Sequence, residues 1–485
     1  MEAAEYDLIV IGAGAVGENV ADRAVQGGLS VVIVESELVG GECSYWACMP
    51  SKTLLRAGAA LRGAREAPGA AEAVTGRVDA LAALRRRDTV VHEWDDSSQV
   101  AWLQKTGIDL VRGHGEITGV REVTVRSVTA GDGTARGAAG DDRVLRARHA
   151  VAVCTGSAAL LPDVPGMAEA GLWTSREATS AHEVPESLVV VGGGVVACEM
   201  ATAYASFGTA VTMIVRSTPL KGFEPFVADR VAAGLRGLGV DVRTGVDVTR
   251  VERDGDVIVT LDDGSVVRAA EGLVATGRVP RTQGLGLEAA GVDARGWLDV
   301  DDTLLVRGSD WLYAVGDVNG RVLLTHEGKY QARAAGDVIA ARALGHAVDT
   351  APWGAHVATA DHAATPLVIF TEPQVASVGL TAARAEAAGI RVRTLDYDLS
   401  WVAGATTYSD AYEGTARAVA DLDREVIVGA TFVGQDVAEL LHAATIAIVG
   451  EVPLSRLWHA VPPYPTLSEV WLRWLEEYGR PGDSR

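Results

Sequence analysis

Residues 6–17, YDLIVIGAGAVG, decide the fold. Tyr6–Ile11 is a short apolar, β-branched run of the kind a buried parallel strand shows, and Gly12, Gly14 and Gly17 follow it in GxGxxG spacing. A second such run, LSVVIVE at 29–35, ends in Glu35 about 20 residues past the glycines, the βαβ pattern of a dinucleotide site. The glycines permit the turn and the close approach of backbone to ligand. The helix start offers unpaired N–H groups to a pyrophosphate, and the terminal acid accepts hydrogen bonds from ribose hydroxyls. A lone GxGxxG is weak evidence; strand, helix and acid in register with it make the signal specific.

The pattern returns once. Leu188–Val191 and Val211–Val215 enclose GGGVVACEMATAYASFG, in which Gly192, Gly194 and Ala197 give GxGxxA, an allowed variant of the same turn. Two nucleotides are therefore expected. Between the first unit and residue 110 an Ala/Arg-rich region suits helices with charged outer faces, and residues 127–148 read as a loop at the edge of a small sheet. After Ala351 the texture changes. Leu367–Phe370, Arg417–Ala420 and Val426–Phe432 read as strands and Val437–Val449 as an apolar helix, an antiparallel sheet whose helix is a candidate subunit contact.

Composition bounds the function. At 485 residues with 48% apolar side chains the chain is long enough for about three domains with their own cores. A net charge of −21 opposes binding to nucleic acid or to an anionic membrane. The N-terminus, MEAAEYDLIV, lacks the positive start of a secretory signal, and no apolar run approaches the roughly 18 residues of a spanning helix, so a cytoplasmic location is expected. Four cysteines are too few for a disulfide scaffold. Cys154 and Cys198 lie in apolar runs and read as core. Cys43 and Cys48 are paired in GGECSYWACMPSK and read as redox-active. His114, His326 and His442 show no metal-cage spacing, so no metal site is expected.

GGECSYWACMPSK, the Gly12 and Gly192 fingerprints and VGD at Val315–Asp317 together resemble the pyridine nucleotide–disulfide oxidoreductases over nearly the whole chain. The resemblance implies FAD in the first site and a nicotinamide in the second. Cys43 would then be the interchange thiol and Cys48 the charge-transfer thiolate; a helix N-terminus with Lys52 nearby would lower a cysteine pKa. Lys52 and Glu199 fall where that family keeps a pair beside the flavin, gating hydride entry. Thr155–Gly156–Ser157 and Ala275–Thr276–Gly277–Arg278 match its crossing segments between domains. Asp317 matches the aspartate that contacts the ribityl chain, with Gly316 allowing close approach. Gly41 and Gly115 complete the implied FAD set, while Val196, Gly277 and Arg278 join Gly192, Gly194, Ala197 and Glu199 in the implied nicotinamide set. Arg216 ends the strand where an NAD enzyme presents an acid; with Lys221 it suits a 2′-phosphate and predicts NADPH over NADH.

The C-terminal VPPYPTLSE departs from that family. Tyr464 stands where a histidine is usual and Glu469 keeps the glutamate of the acid–base pair that a partner subunit would supply. Tyrosine's reference pKa of about 10 against about 6.5 for histidine makes it a poor base, which weakens lipoamide- and glutathione-type readings. Mercuric reductases carry tyrosine there, yet EEYGRPGDSR shows no cysteine pair like theirs and nothing in MEAAEYDLIV resembles their metal-binding domain, so neither is expected. Tyr45 and Trp46 stand where the family has smaller residues, and either narrow access to Cys43, shape a pocket for a flat substrate or fill the structure.

The expected fold is α/β, with two Rossmann-like dinucleotide-binding domains and an α+β C-terminal dimerisation domain: 1–157 FAD-binding, 158–283 NAD(P)-binding, 284–350 central FAD segment, 351–485 interface. The expected activity passes hydride from NADPH through FAD to the Cys43–Cys48 disulfide and on to a small-molecule substrate, in a homodimer with a shared active site. The alternatives are an NADPH-dependent metal-ion or quinone reductase and a flavin-bound redox sensor or interaction module with negligible turnover.

Overall fold

The computed structural model describes residues 3–127, 142–293 and 295–480. The chain divides into two compact units. One combines Met1–Pro50, Asp88–Ala159 and Arg278–Asp361; the other combines Ser51–Arg87, Leu160–Gly277 and His362–Arg485.

In the first unit, parallel strands lie in the order Ile108–Arg112, Val31–Glu35, Ala4–Ile11, Arg143–Val153, Leu312–Ala314. Leu8, Ile9 and Val10 are fully buried, which is why the run is continuously apolar rather than alternating. Arg143–Val153 also pairs, near its start, with the antiparallel hairpin Glu122–Arg126 and His114–Gly119. The loop expected over 127–148 is corrected at its end: a strand begins at Arg143, with Leu145 and Ala147 buried in alternation with exposed neighbours. Residues 128–141 lie outside the described residues. The helices Ala15–Gln26 and Thr325–Ala343 pack together tightly, and a β-carbon on Gly27 would come within 2.4 Å of the Ala340 methyl.

The second unit holds a parallel sheet ordered Asp241–Thr244, Ala210–Val215, Ser187–Val191, Glu271–Val274, with a three-stranded meander over Val248–Ala269. It also holds the expected antiparallel sheet, ordered Pro366–Ile369, Gln374–Gly379, Val426–Gly434, Gly414–Asp421, Val392–Asp398. The apolar helix expected over 437–449 is a 3₁₀ turn, Val437–Leu440, followed by an α-helix, Leu441–Val449. Ile446 is 58% exposed and leaves an apolar side chain facing outward.

The Ala/Arg-rich region forms the helices Cys48–Glu66, Ala80–Val90 and Ser97–Thr106. Its arginines are not all on outer faces. Arg87 is fully buried and its guanidinium donates to the backbone carbonyls of Thr179 and Ala181. A buried guanidinium needs several acceptors fixed in place, and two carbonyls at the end of the helix Ser175–Ser180 supply them here.

Candidate active site

The two glycine turns sit at the carboxyl ends of parallel strands. Gly12 has φ +103°, and a β-carbon there would lie 2.5 Å from the Cys154 carbonyl oxygen; at Gly192, with φ +133°, it would lie 2.2 Å from the Ala275 carbonyl. Both turns thus require glycine. Gly14 begins the helix Ala15–Gln26 without any side-chain cap, so first-turn N–H groups are available to an anion. Open space surrounds the place a Gly14 side chain would take, the nearest atom being the Gly41 Cα at 3.9 Å. Gly115 packs where a β-carbon would press Ile11 and Val34 at 3.1 and 3.3 Å.

Glu35 does more than end its strand. Its Oε2 accepts the Ala13 N–H at 2.6 Å and its Oε1 the Glu37 N–H at 2.7 Å, tying the turn to the neighbouring strand. Burial pushes its pKa up while those two N–H groups pull it down. Each oxygen keeps a lone pair for a ribose hydroxyl.

Asp317 Oδ2 accepts the Ser157 hydroxyl at 2.6 Å, and Arg278 donates to Ser157 Oγ at 2.6 Å and to the Ser157 carbonyl at 2.8 Å. Burial holds the Asp317 carboxyl above its ordinary range. Arg278, which the resemblance put in the nicotinamide set, thus bonds Ser157 of the first unit. Thr155 donates to the Arg281 carbonyl at 2.7 Å, Gly156 takes φ +74°, and at Gly316, with φ +81°, a β-carbon would lie 3.0 Å from Val16 Cγ2.

Cys43 and Cys48 are thiols in this structure, both partly buried. Cys43 lies in the short helix Gly41–Tyr45 and Cys48 at the N-terminus of Cys48–Glu66. Cys48 Sγ is 3.3 Å from Thr325 Oγ1, at the start of the helix Thr325–Ala343. A hydrogen bond with Cys48 and burial push the Cys43 pKa far up, while Thr325 and Lys329 oppose the rise. Cys43 is thus a thiol whose ionisation its surroundings oppose.

The helix that begins at Cys48 continues through Lys52, whose ammonium pairs with Glu199 at 2.8 Å. Glu199 Oε1 accepts the Phe370 N–H at 3.0 Å, and Lys52 lies 5.3 Å from the Phe370 ring centre.

A cleft of about 570 Å³ opens beside the second glycine turn. Gly192, Gly194, Arg216 and Lys221 line it, as expected; Val195 lines it in place of Val196, and Thr276 in place of Gly277. Ala197, in the first turn of the helix Val195–Phe207, is buried. Arg216 and Lys221 are exposed.

Residues 6–332 match the family model described as pyridine nucleotide-disulphide oxidoreductase, and residues 365–474 match that family's dimerisation domain. The chain belongs to the pyridine nucleotide-disulphide oxidoreductase family. A mercuric reductase of Streptomyces lividans is 33% identical, covering 96% of this chain and 94% of the relative. A mercuric reductase of Staphylococcus aureus is 30% identical over 96% of this chain and 81% of its own length, and a dihydrolipoyl dehydrogenase of Synechocystis sp. is 30% identical over 96% and 97%. The solved HOCl-induced flavoprotein disulfide reductase RclA of Escherichia coli, as its Cu(II) complex, has the same fold: TM-score 0.82, 23% identity, 99% of this chain and all of that one.

As a member of this family the protein is an FAD-dependent oxidoreductase with a pyridine nucleotide as electron donor. The first glycine turn fits FAD on this structure's own terms: an uncapped helix start, open space at Gly14 and a buried acid at the strand end. Tyr45 and Trp46 are buried with Leu38 and Val91 in a small core. Glu469 is buried, its carboxylate held by Arg473 and by the Ala403 N–H at 3.3 Å. Tyr464 is 77% exposed and its hydroxyl takes no part in that network. Cys154 and Cys198 are core residues as expected. His114 bonds the Gly284 carbonyl at 2.9 Å, and no metal-binding group of histidines, cysteines and carboxylates occurs among the described residues. Sequence reasoning missed Thr325 and Lys329, because the residues LTHEGK carry no motif and reach the thiols only through folding.

Proposed function

We propose that the protein uses NADPH to reduce a small-molecule disulfide at Cys43, as a homodimer in the cytoplasm. The observation that carries this reading is the Cys43–Cys48–Thr325 cluster at two helix N-termini, in which Cys43 is a thiol whose ionisation the surroundings oppose. Bound FAD supplies a two-electron carrier between nicotinamide and thiols. Gly12, Gly14, Gly17, Gly41, Glu35, Gly115, Thr155, Gly156, Ser157, Gly316 and Asp317 would hold it. Lys52 and Glu199 gate hydride delivery, their ion pair fixing a cation and an anion that neither side chain can release cheaply. Gly192, Gly194, Arg216 and Lys221 bind the dinucleotide, the two cations facing its 2′-phosphate. The outward Ile446 and the family's dimerisation segment support the homodimer, in which Tyr464 and Glu469 would belong to the partner's substrate mouth.

Steady-state assays of the Cys43→Ser variant with disulfides, quinones and metal salts test the reading. Disulfide turnover should vanish; if it persists, Cys43 is not the interchange thiol. The mercuric reductases among the relatives, together with Tyr464, support metal-ion reduction as a second reading. It predicts that mercuric salts, and not disulfides, reoxidise the reduced enzyme.

A further inference from the structure

Arg216 and Lys221, the two cations of the cleft beside the second glycine turn, are carried on one loop, RSTPLKGFE at 216–224, and that loop is held at two points. The first is local. The Leu220 N–H donates to the Gly193 carbonyl at 2.7 Å, and Leu220 is buried at φ +51°, a conformation that a branched side chain keeps only where its surroundings fix it. The second point reaches across the unit to the antiparallel sheet. Glu224, its side chain 3% exposed, ends the loop ahead of the helix Pro225–Gly237; its Oε1 accepts the Ala382 N–H at 2.8 Å and its Oε2 an Arg417 N–H at 2.7 Å. Arg417 stands in the strand Gly414–Asp421, 193 residues along the chain. Its other donors hold Asp396 Oδ1 at 2.6 Å and Oδ2 at 2.7 Å, and its guanidinium lies 5.4 Å from the Phe226 ring centre. Both Glu224 oxygens are thus engaged on the side of the sheet, and no ion pair joins Glu224 to Lys221 among the described residues.

We propose that Glu224 and Arg417 are positioning residues for the dinucleotide's 2′-phosphate, fixing the far end of the 216–224 loop and through it the place of Arg216 and Lys221 on the cleft. The inference rests on reading that loop as the 2′-phosphate site. Neither Glu224 nor Arg417 lines the cleft, so both act through the loop. A loop loose at this end would have to be ordered by the ligand, and that ordering is subtracted from the affinity; a loop held at both points meets the phosphate already ordered. Arg417 also offsets the charge of Glu224. Without it a buried carboxylate would stand unbalanced three residues from Lys221 and oppose the arrival of a phosphate.

The test is calorimetric binding of adenosine 2′,5′-bisphosphate and of 5′-AMP, which differ by the 2′-phosphate alone, to the oxidised holoenzyme. Glu224→Gln offers one acceptor where two donors converge. It should weaken the bisphosphate about tenfold, the equivalent of one charge-assisted hydrogen bond, and change 5′-AMP by less than about twofold. The double variant Glu224→Gln/Arg417→Met removes the pair without stranding a buried charge and should do the same. Asp396→Asn breaks the outer contact of Arg417 alone, at a side chain 51% exposed, and should leave both ligands unchanged. A pair that only packs the unit would lower the urea midpoint and leave the bisphosphate's advantage over 5′-AMP intact. That result in Glu224→Gln or in the double variant, or an equal weakening of both ligands, would overturn the proposal. A wild-type enzyme that binds the bisphosphate no better than 5′-AMP would instead overturn the 2′-phosphate reading itself.

Discussion

Lys52 Nζ lies 2.8 Å from Glu199 Oε2, joining an ammonium 36% exposed to a carboxylate only 4% exposed. The asymmetry sets the outcome of mutation. Lys52→Met leaves a buried carboxylate with the Phe370 N–H as its remaining polar contact. Glu199→Gln keeps a neutral acceptor there and leaves Lys52 able to reach water. Lys52→Met should therefore be the more destabilising, by about 2 kcal/mol, below the ~3–5 of a fully sealed pair because Lys52 is partly solvated. Urea unfolding of the two variants checks this; equal midpoints would show that the pair carries no buried charge.

The proton accounting at the thiols gives an optical prediction. The hydrogen bond to Cys48 and burial oppose ionisation of Cys43, so the proposed reading, with Cys48 as the charge-transfer thiol, expects the anion of the two-electron-reduced enzyme on Cys48. Anaerobic NADPH titration should raise a long-wavelength flavin–thiolate charge-transfer band that Cys48→Ser abolishes and Cys43→Ser retains. The reverse pattern would exchange the two roles.

Much of this architecture is legible in the sequence because parallel strands buried on both faces leave uninterrupted apolar runs, and turns at positive φ leave glycine. Gly12 and Gly192 are such turns, and Lys52 with Glu199 follows once the motifs fix their helices. What stayed hidden depends on contacts far apart in the chain. Thr325 is 277 residues from Cys48, and Arg87 looks like any surface arginine until the Thr179 and Ala181 carbonyls are brought over it. The partner of Arg278 was hidden for the same reason: its position at a domain crossing is readable, but its bond to Ser157, 121 residues away, is not.

The two glycine turns should fail separately. Gly12→Ala would force a β-carbon to 2.5 Å from the Cys154 carbonyl and Gly192→Ala to 2.2 Å from the Ala275 carbonyl, both against backbone that cannot yield cheaply. Gly12→Ala should be isolated depleted of FAD, by absorbance at the flavin band. Gly192→Ala should keep its flavin and lose affinity for the nicotinamide. Loss of flavin from both would assign the second turn to the wrong nucleotide.

Arg216 ends the strand Ala210–Val215 on the cleft where an acid would accept ribose hydroxyls, with Lys221 on the same cleft. An exposed guanidinium is well solvated, so it gains from a ligand only if the ligand brings charge and paired acceptors, as a phosphate does. One or two charge-assisted hydrogen bonds of about 1.5–3 kcal/mol correspond to roughly 10–100-fold in affinity. Arg216→Glu should raise the KM for NADPH by that range, through lost contacts and like-charge repulsion, while leaving or improving that for NADH. Lys221→Met should give a smaller change in the same direction, since a point charge offers the phosphate no fork. Equal responses of NADPH and NADH to Arg216→Glu would remove the 2′-phosphate from this site and leave the arginine as a solvated strand end.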